Sequence, residues 1–334
     1  MPDSLHELSK LGVHLQPRDG AAFRGIRFVN DGNEANAQFP SAGVPGIGLR
    51  RQTLHQHLVE RAEAAGVCLR WGSTVQLMED RRVFVAGKAM AYGWLVGADG
   101  MNSRVRRWAG LEIGSTMSRR FGFRRHFHVK PWSDFVEVHW GQSGQAYVTP
   151  TGPDEVCVAT VARDPHCRLE NLLAELPHLQ QKLGRVALDT ERGALTTTRR
   201  LRRVVSGNIA LVGDASGSAD AITGEGLGLG FRQALMLAEC IESNDLARYH
   251  REHAKTLQLP QTMARVMLLM DRSPTFRARA LGLLASEPAL FTRLLGVHLG
   301  AESITRFVAA KGLDVARGLI WPAHSNASTL ATGS

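Results

Sequence analysis

The chain has 334 residues, 44% of them hydrophobic, and its 40 Lys and Arg outnumber 31 Asp and Glu to give a net charge of +9. That apolar share excludes a chain disordered throughout, and the length suits one large domain or two intimate ones. The basic excess is mostly arginine and scattered, with no helix-turn-helix, zinc-finger or RNA-binding pattern, so nucleic acid is set aside as a partner.

In chain order, Leu5, Leu8 and Leu11 recur at spacing three, which predicts a short amphipathic helix over 3–11 stopped by Gly12. "GIRFV" (25–29) and "NAQFP" (36–40) alternate around Asn-Asp-Gly-Asn, a hairpin pattern. "RRQTLHQHLVERAEAAG" (50–66) reads as a helix with Leu54, Leu58 and Ala62 on one face, and "VCLRW" (67–71) as the strand after it. "RRVFVAG" and "KAMAYGWLVGADG" read as a hairpin feeding a buried strand, Trp94 to Ala98, with Asp99-Gly100 at its end. A short helix, "NSRVRRWAG", follows with Asn102 as its expected cap. Between about 115 and 205, "FGFRRHFHVKPW", "FVEVHWG", "QAYVTPTG" and "EVCVATVARD" predict a mostly antiparallel sheet, with "RLENLLAELPHLQQKLG" as one helix within it. The last hundred residues are helical in pattern, and the small, polar tail after Pro322 is expected to fray.

The four cysteines (Cys68, Cys157, Cys167, Cys240) form no CxxC pair, so no metal site is expected and a reduced cytoplasmic setting fits. No run of about 18 apolar residues predicts a spanning helix. The start, "MPDSLHELSKLGVHL", lacks the apolar region of a signal peptide. In "RSPTFRARALGLLASEPALFTRLLGVHLG", arginines mix with Leu and Phe at helical spacing. Contact with the inner face of a membrane is one reading, and a helix pair packed on the protein itself is the other.

The chemistry concentrates in "GNIALVGDASGSADAITGEGLGLGFRQA" (207–234). Ile209 to Val212 has the pattern of a buried parallel strand, and ligands of open α/β sheets lie beyond such strand ends. Asp214 stands there, able to accept hydrogen bonds from a ribose- or ribityl-like chain, and Gly213 lets a ligand approach the backbone. Gly224, Gly226, Gly228 and Gly230 then open a helix whose bare amides can face a developing negative charge. That suits the N1–C2=O edge of a flavin better than a plain phosphate. The alternative is an ordinary strand-ending turn with glycines that only permit helix packing. Two further elements weigh against it: "LVGADGMNSRVRR", a second strand ending in Asp-Gly, and Arg51 at a helix start, where a guanidinium can reach a pyrophosphate or ribityl oxygen. On the sheet lobe His126, His128, His139 and Tyr147 are candidate substrate-side groups. Alternation puts His126 and His128 on one face, with a half-exposed strand face as the competing explanation.

In this order, "RRQTL", "GADGMNSRVRR" and "GDASGSADAITGEGLGLGFRQA" resemble the FAD-dependent superfamily of aromatic-ring hydroxylases, geranylgeranyl reductases and flavin-dependent halogenases, over roughly residues 1 to 300. The likeness is closest to the geranylgeranyl-reductase-like dehydrogenases. It implies FAD as cofactor, with NAD(P)H as a transient reductant. It implies ribityl contact by Asp214 beside Gly213, flavin-edge contact near Gly224, Gly226 and Leu227, pyrophosphate support by Asp99 and Gly100, and FAD contact by Arg51. "AYVTPTG" stands where the reductases carry a Tyr-Trp-Phe-Pro pattern and keeps only Pro150 and Gly152, which argues against prenyl reduction. The halogenase tryptophan motif is absent.

The resemblance also implies a first βαβ unit with GxGxxG, roughly 30 residues that hold the ADP half of FAD. No GxGxxG occurs here, and Met1 resembles an internal methionine, so an N-terminal truncation is expected. The expected fold is therefore α/β: a Rossmann-like FAD lobe lacking its first βαβ unit (1–114 and 206–245), an antiparallel substrate lobe (115–205), C-terminal helices (246–321) and a flexible tail (322–334). The expected function is an FAD-dependent monooxygenase or dehydrogenase/reductase acting on a hydrophobic or aromatic small molecule. A non-catalytic remnant or partner-binding protein derived from such an enzyme is the alternative. No catalytic side chain is singled out, because the flavin carries the reaction.

Overall fold

A computed structural model describes residues 1–320 except 31, 41–43 and 185, so the tail at 322–334 lies outside the described residues. Alternating apolar residues build a seven-stranded sheet in the order Arg192–Leu201, Gly114–His128, Glu155–Ala162, Gly144–Gly152, Val136–Trp140, Gly25–Asn30, Asn33–Gln38. Neighbours are antiparallel except Val136–Trp140 and Gly25–Asn30, which run parallel. That parallel pair corrects the lobe boundary drawn from sequence. The hairpin at 25–38, assigned to the first lobe, extends the sheet of the second, because Val136 to His139 offer it a free edge.

The other lobe holds a three-stranded sheet, Val205–Ser206, Ile209–Leu211 and Leu95–Gly97. Its last two strands are parallel with Leu211 opposite Gly97. A meander of Val75–Glu79, Arg82–Val85 and Lys88–Ala91 leads into it. Residues 67–71, predicted as a strand, form none: among the described residues no neighbouring strand pairs with them. The helix predicted over 168–184 is two, Leu169–Ala174 and Pro177–Leu183, because Pro177 cannot continue a helix but starts one well.

The helices Gln258–Arg272, Pro274–Ser286 and Pro288–His298 lie over the seven-stranded sheet. Met270, Leu281, Leu284, Phe291 and Leu295 bury against Phe28, Ala35, Ala37 and Val138. Each such side chain contributes roughly 1.5–3 kcal/mol of transfer free energy. Among the described residues no single helix is long and apolar enough to cross a membrane. The pair Pro274–Ser286 and Pro288–His298 would be so only together, and it bends by 108°.

Candidate functional site

The parallel register carries Asp99 and Asp214 to the same edge of the small sheet, just beyond Gly97 and Leu211. Around Asp214 the loop is held from behind. Gly213, at φ +59°, donates its amide to Gln233 Oε1 at 2.7 Å. Ser216 Oγ donates to the Gly213 carbonyl at 2.8 Å and lies 2.8 Å from His253 Nε2. Burial, with a smaller push from His250, lowers the His253 pKa to about 4 and keeps it neutral. Tyr249 donates its hydroxyl to the Leu211 carbonyl at 2.7 Å. Asp214 itself is left free: among the described residues no donor bonds its carboxylate. Burial raises its pKa, and the charge of Arg51 pulls it partly back.

Glycine keeps this region open. Gly224 closes a short 3-10 turn in the left-handed region at φ +69°, where a side chain would be strained. A Cβ added at Gly213, Gly224 or Gly226 would meet nothing within 4 Å, whereas at Gly230 it would reach the Gly213 Cα at 4.0 Å. The helix Gly226–Glu242 therefore starts beside the Gly213-Asp214 turn, with Gly226 and Leu227 exposed at its first turn. Just before them Glu225 is buried and its Oε2 has no hydrogen-bond partner. His298 Nδ1 stands 3.7 Å away. Burial, reinforced by Asp3, raises Glu225 to a pKa of about 8 against the pull of Arg232 and Thr223, so it is largely protonated at neutral pH.

Asp99 is occupied. It accepts from Ser103 Oγ and from the amides of Arg104 (2.7 Å) and Val105 (3.2 Å), serving the first turn of helix Arg104–Trp108. Ser103, not Asn102, is the cap: its Oγ accepts from the Arg106 amide. Ser103 is the better placed because its own hydroxyl is already oriented by Asp99. Any service of Asp99 to a ligand is thus indirect, through the turn it shapes at Gly100 (φ +74°). Arg106, buried, is a residue the motif reading passed over. It donates to the carbonyls of Met101 and Ala215 and to Glu112, tying the two acid-bearing loops together.

Between the seven-stranded sheet and the covering helices lies a cavity of about 740 Å³. Its walls are mostly apolar, with Phe28, Phe123, Val138, Met263, Met267 and Phe291 prominent, and Arg51, Thr223 and Gly224 also line it. Of the four substrate-side candidates only Tyr147 lines it. Tyr147 donates to the Ile222 carbonyl at 2.8 Å, and burial pushes its phenol far above the ordinary value. His126 is tied to Asp189 through its amide (2.8 Å) and Nδ1 (2.7 Å), and His128 is exposed. His139 pairs with buried Glu137 at 3.0 Å, and alternation with the cavity-lining Val138 turns it to the other face. Sequence reading missed Arg124 and Arg192, which line the cavity. Arg124 shares a strand face with His126, and that spacing could have revealed it. Nothing local marks Arg192 or His298. Among the described residues no cluster of His, Cys, Asp and Glu could hold a metal.

The FAD binding domain family matches residues 8–261. Dialkyldecalin synthase of Streptomyces rugosporus is 27% identical, the match covering 90% of this chain and 67% of the relative. Digeranylgeranylglycerophospholipid reductase 2 of Methanothermobacter thermautotrophicus is 26% identical over 64% of this chain and 62% of the relative. The chain thus spans about two thirds of the length of these relatives. The solved structure of a flavoprotein/dehydrogenase from Cytophaga hutchinsonii superposes with a TM-score of 0.76 at 14% identity, covering 96% of this chain and 86% of that one.

Proposed function

Because this chain belongs to the FAD binding domain family, whose related proteins are FAD-dependent oxidoreductases, we propose that it binds FAD and oxidises or reduces a hydrophobic or aromatic small molecule, as a monooxygenase or a dehydrogenase/reductase. The observation that carries the substrate class is the mostly apolar cavity that Gly224 helps to line. Bound FAD would supply hydride or electron transfer to or from the substrate, with NAD(P)H as the transient reductant.

The residues present fit the group. Asp214, a carboxylate with no donor of its own, would accept from ribityl hydroxyls. The amides of Gly226 and Leu227, on a side with no Cβ in the way, would face the pyrimidine edge. Arg51 would take a phosphate or ribityl oxygen, and the Asp99-Gly100 turn would support the pyrophosphate through its backbone. Met263, Met267 and Phe291 give the cavity apolar walls. Tyr147, held neutral by burial with its hydroxyl set between the Ile222 carbonyl and Gln145 Oε1, fixes the wall next to Gly224. Burial likewise pushes the Cys157 thiol up to about 11, so it is no nucleophile.

A second reading, a non-catalytic derivative of such an enzyme, draws on one observation. Among the described residues the edge of Leu95–Gly97 away from Ile209–Leu211 carries no strand, and no glycine-rich βαβ unit is present for the adenosine half. One variant tests the cofactor assignment. Gly226→Val meets no atom within 4 Å at its Cβ, so the chain should fold unchanged. It should also abolish the change in flavin absorbance and fluorescence seen when the parent protein is titrated into FAD. Undiminished binding by this variant overturns the assignment.

A further inference from the structure

We propose that the cavity takes an apolar molecule with one anionic end, a carboxylate or a phosphate monoester, and that Arg124 and Arg192 hold that end. The inference rests on the cavity being the substrate pocket argued above.

Arg192 and Arg124 are Cα partners on neighbouring antiparallel strands, and both line the cavity. Like charges set directly opposite each other repel and destabilise a sheet, so an uncompensated pair implies a counter-charge. Asp189 supplies part of it, 3.5 Å from Arg124 Nη1. That carboxylate is already shared: it takes the His126 amide at 2.8 Å and lies 2.7 Å from His126 Nδ1. The other charges at this end of the sheet cancel locally. Arg50 chelates both carboxylate oxygens of Glu155, which also accepts from Thr151 Oγ1 at 2.7 Å. Among the described residues Arg192 meets no carboxylate. One guanidinium is left over, on a residue that lines a cavity whose walls are mostly apolar.

A carboxylate or phosphate matches the forked donors of two arginines, and apolar walls strengthen the attraction. The geometry also orients the guest. Thr196 Oγ1 accepts from the Ala221 amide at 3.1 Å, which fixes the Gly224 end of the cavity on the strand Arg192–Leu201. Arg192 lies four residues back along it, about 13 Å at the usual strand rise. The anionic end is therefore held away from Gly224, and the apolar body reaches towards it. Arg51, a third arginine on the cavity wall, acts instead on Asp214.

The test is calorimetric titration with decanoate, decyl phosphate, decanol and inorganic phosphate, on protein with and without added FAD. At least one ten-carbon anion should bind about tenfold or more tighter than decanol, as expected for a charge-assisted contact, and inorganic phosphate alone far more weakly. Which anion is preferred separates a carboxylate guest from a phosphate one. Arg192 is exposed, so Arg192→Gln should fold normally and erase the preference while leaving decanol affinity unchanged. Decanol binding as tightly as both anions, inorganic phosphate matching decyl phosphate, or a preference that survives Arg192→Gln overturns the proposal. FAD binding without anion selectivity sinks this inference alone. Selectivity without FAD binding sinks the flavoenzyme reading alone.

Discussion

Arg106 Nη1 lies 3.0 Å from the carbonyl oxygen of Ala215, the residue after Asp214, and so fastens the loop beyond one parallel strand to the helix beyond the other. The same guanidinium donates to the Met101 carbonyl at 2.7 Å and to Glu112 at 2.8 Å. Arg106→Met keeps the volume but leaves two carbonyls without a donor. The expected loss is about 3 kcal/mol, read by urea denaturation. Arg106→Lys should recover little of it, since one ammonium cannot reproduce a planar fork. A loss under about 1 kcal/mol in Arg106→Met would show that water replaces the bonds at little cost.

Asp214 sets stability against ligand binding. Burial raises its pKa above the ordinary 3.8, opposed only in part by Arg51. As pH rises through 3.8, the unfolded chain releases this proton before the folded one does. The folded state therefore loses stability until its own raised pKa is passed. Asp214→Asn removes that loss. The variant should melt higher than the parent at pH 7, with the gap closing below about pH 4. It should also bind FAD at least about tenfold more weakly, because an amide accepts less strongly than a carboxylate. A variant that melts lower at pH 7 contradicts the sign of the shift.

Much of the frame could be read from the chain alone, because its determinants are local. The alternation in "QAYVTPTG" and "EVCVATVARD" gave adjacent strands that pair as neighbours, Tyr147 opposite Ala159. The apolar run before Gly213 gave a buried parallel strand. What escaped depends on distant partners. Residues 67–71 have strand composition but no strand beside them. The hairpin at 25–38 could not announce that Val136 to His139 would pair with it in parallel. At the site, Asp214, Arg51 and Gly224 carried the motif, and the structure brings Arg51 and Gly224 to one cavity. Arg106, Gln233 and Tyr249 act by bonding backbone far along the chain, and His253 by bonding the Ser216 hydroxyl, which no local pattern records.

The partners offered to a flavin lie on the side of its ring and ribityl chain. Asp214, Gly226 and Leu227 face those parts, whereas Asp99 is spent on the helix after it and no βαβ glycine loop is present among the described residues. The adenosine half should then add little. This 334-residue chain is expected to bind FMN and FAD within about tenfold of one another, a spread near 1.4 kcal/mol, and riboflavin, which has no phosphate to offer Arg51, more weakly. Loosely held FAD should separate from it during gel filtration. Fluorescence titration of the three flavins checks this, and FAD binding a hundredfold tighter than FMN would reveal an adenosine site elsewhere in the fold.

Glu225 gives the protein a distinct stability profile with pH. Its pKa is raised from 4.5 to about 8, chiefly by burial and then by Asp3, with Arg232 and Thr223 acting the other way. His298, its neighbour at 3.7 Å, is kept neutral by burial and offers no compensating charge. Above pH 4.5 the unfolded chain has released the Glu225 proton while the folded chain holds it until about pH 8. Folding stability therefore falls as pH rises through that interval, by on the order of 1 kcal/mol per pH unit at most. Glu225→Gln lacks this term. Denaturation of both proteins from pH 5 to pH 9.5 should show the variant gaining on the parent up to about pH 8 and running parallel above it. Asp3→Asn, which removes the second cause, should move the start of the plateau to lower pH. Curves that run parallel across the whole range would mean that Glu225 is already ionised in the folded protein, and that the space around its Oε2 is wet.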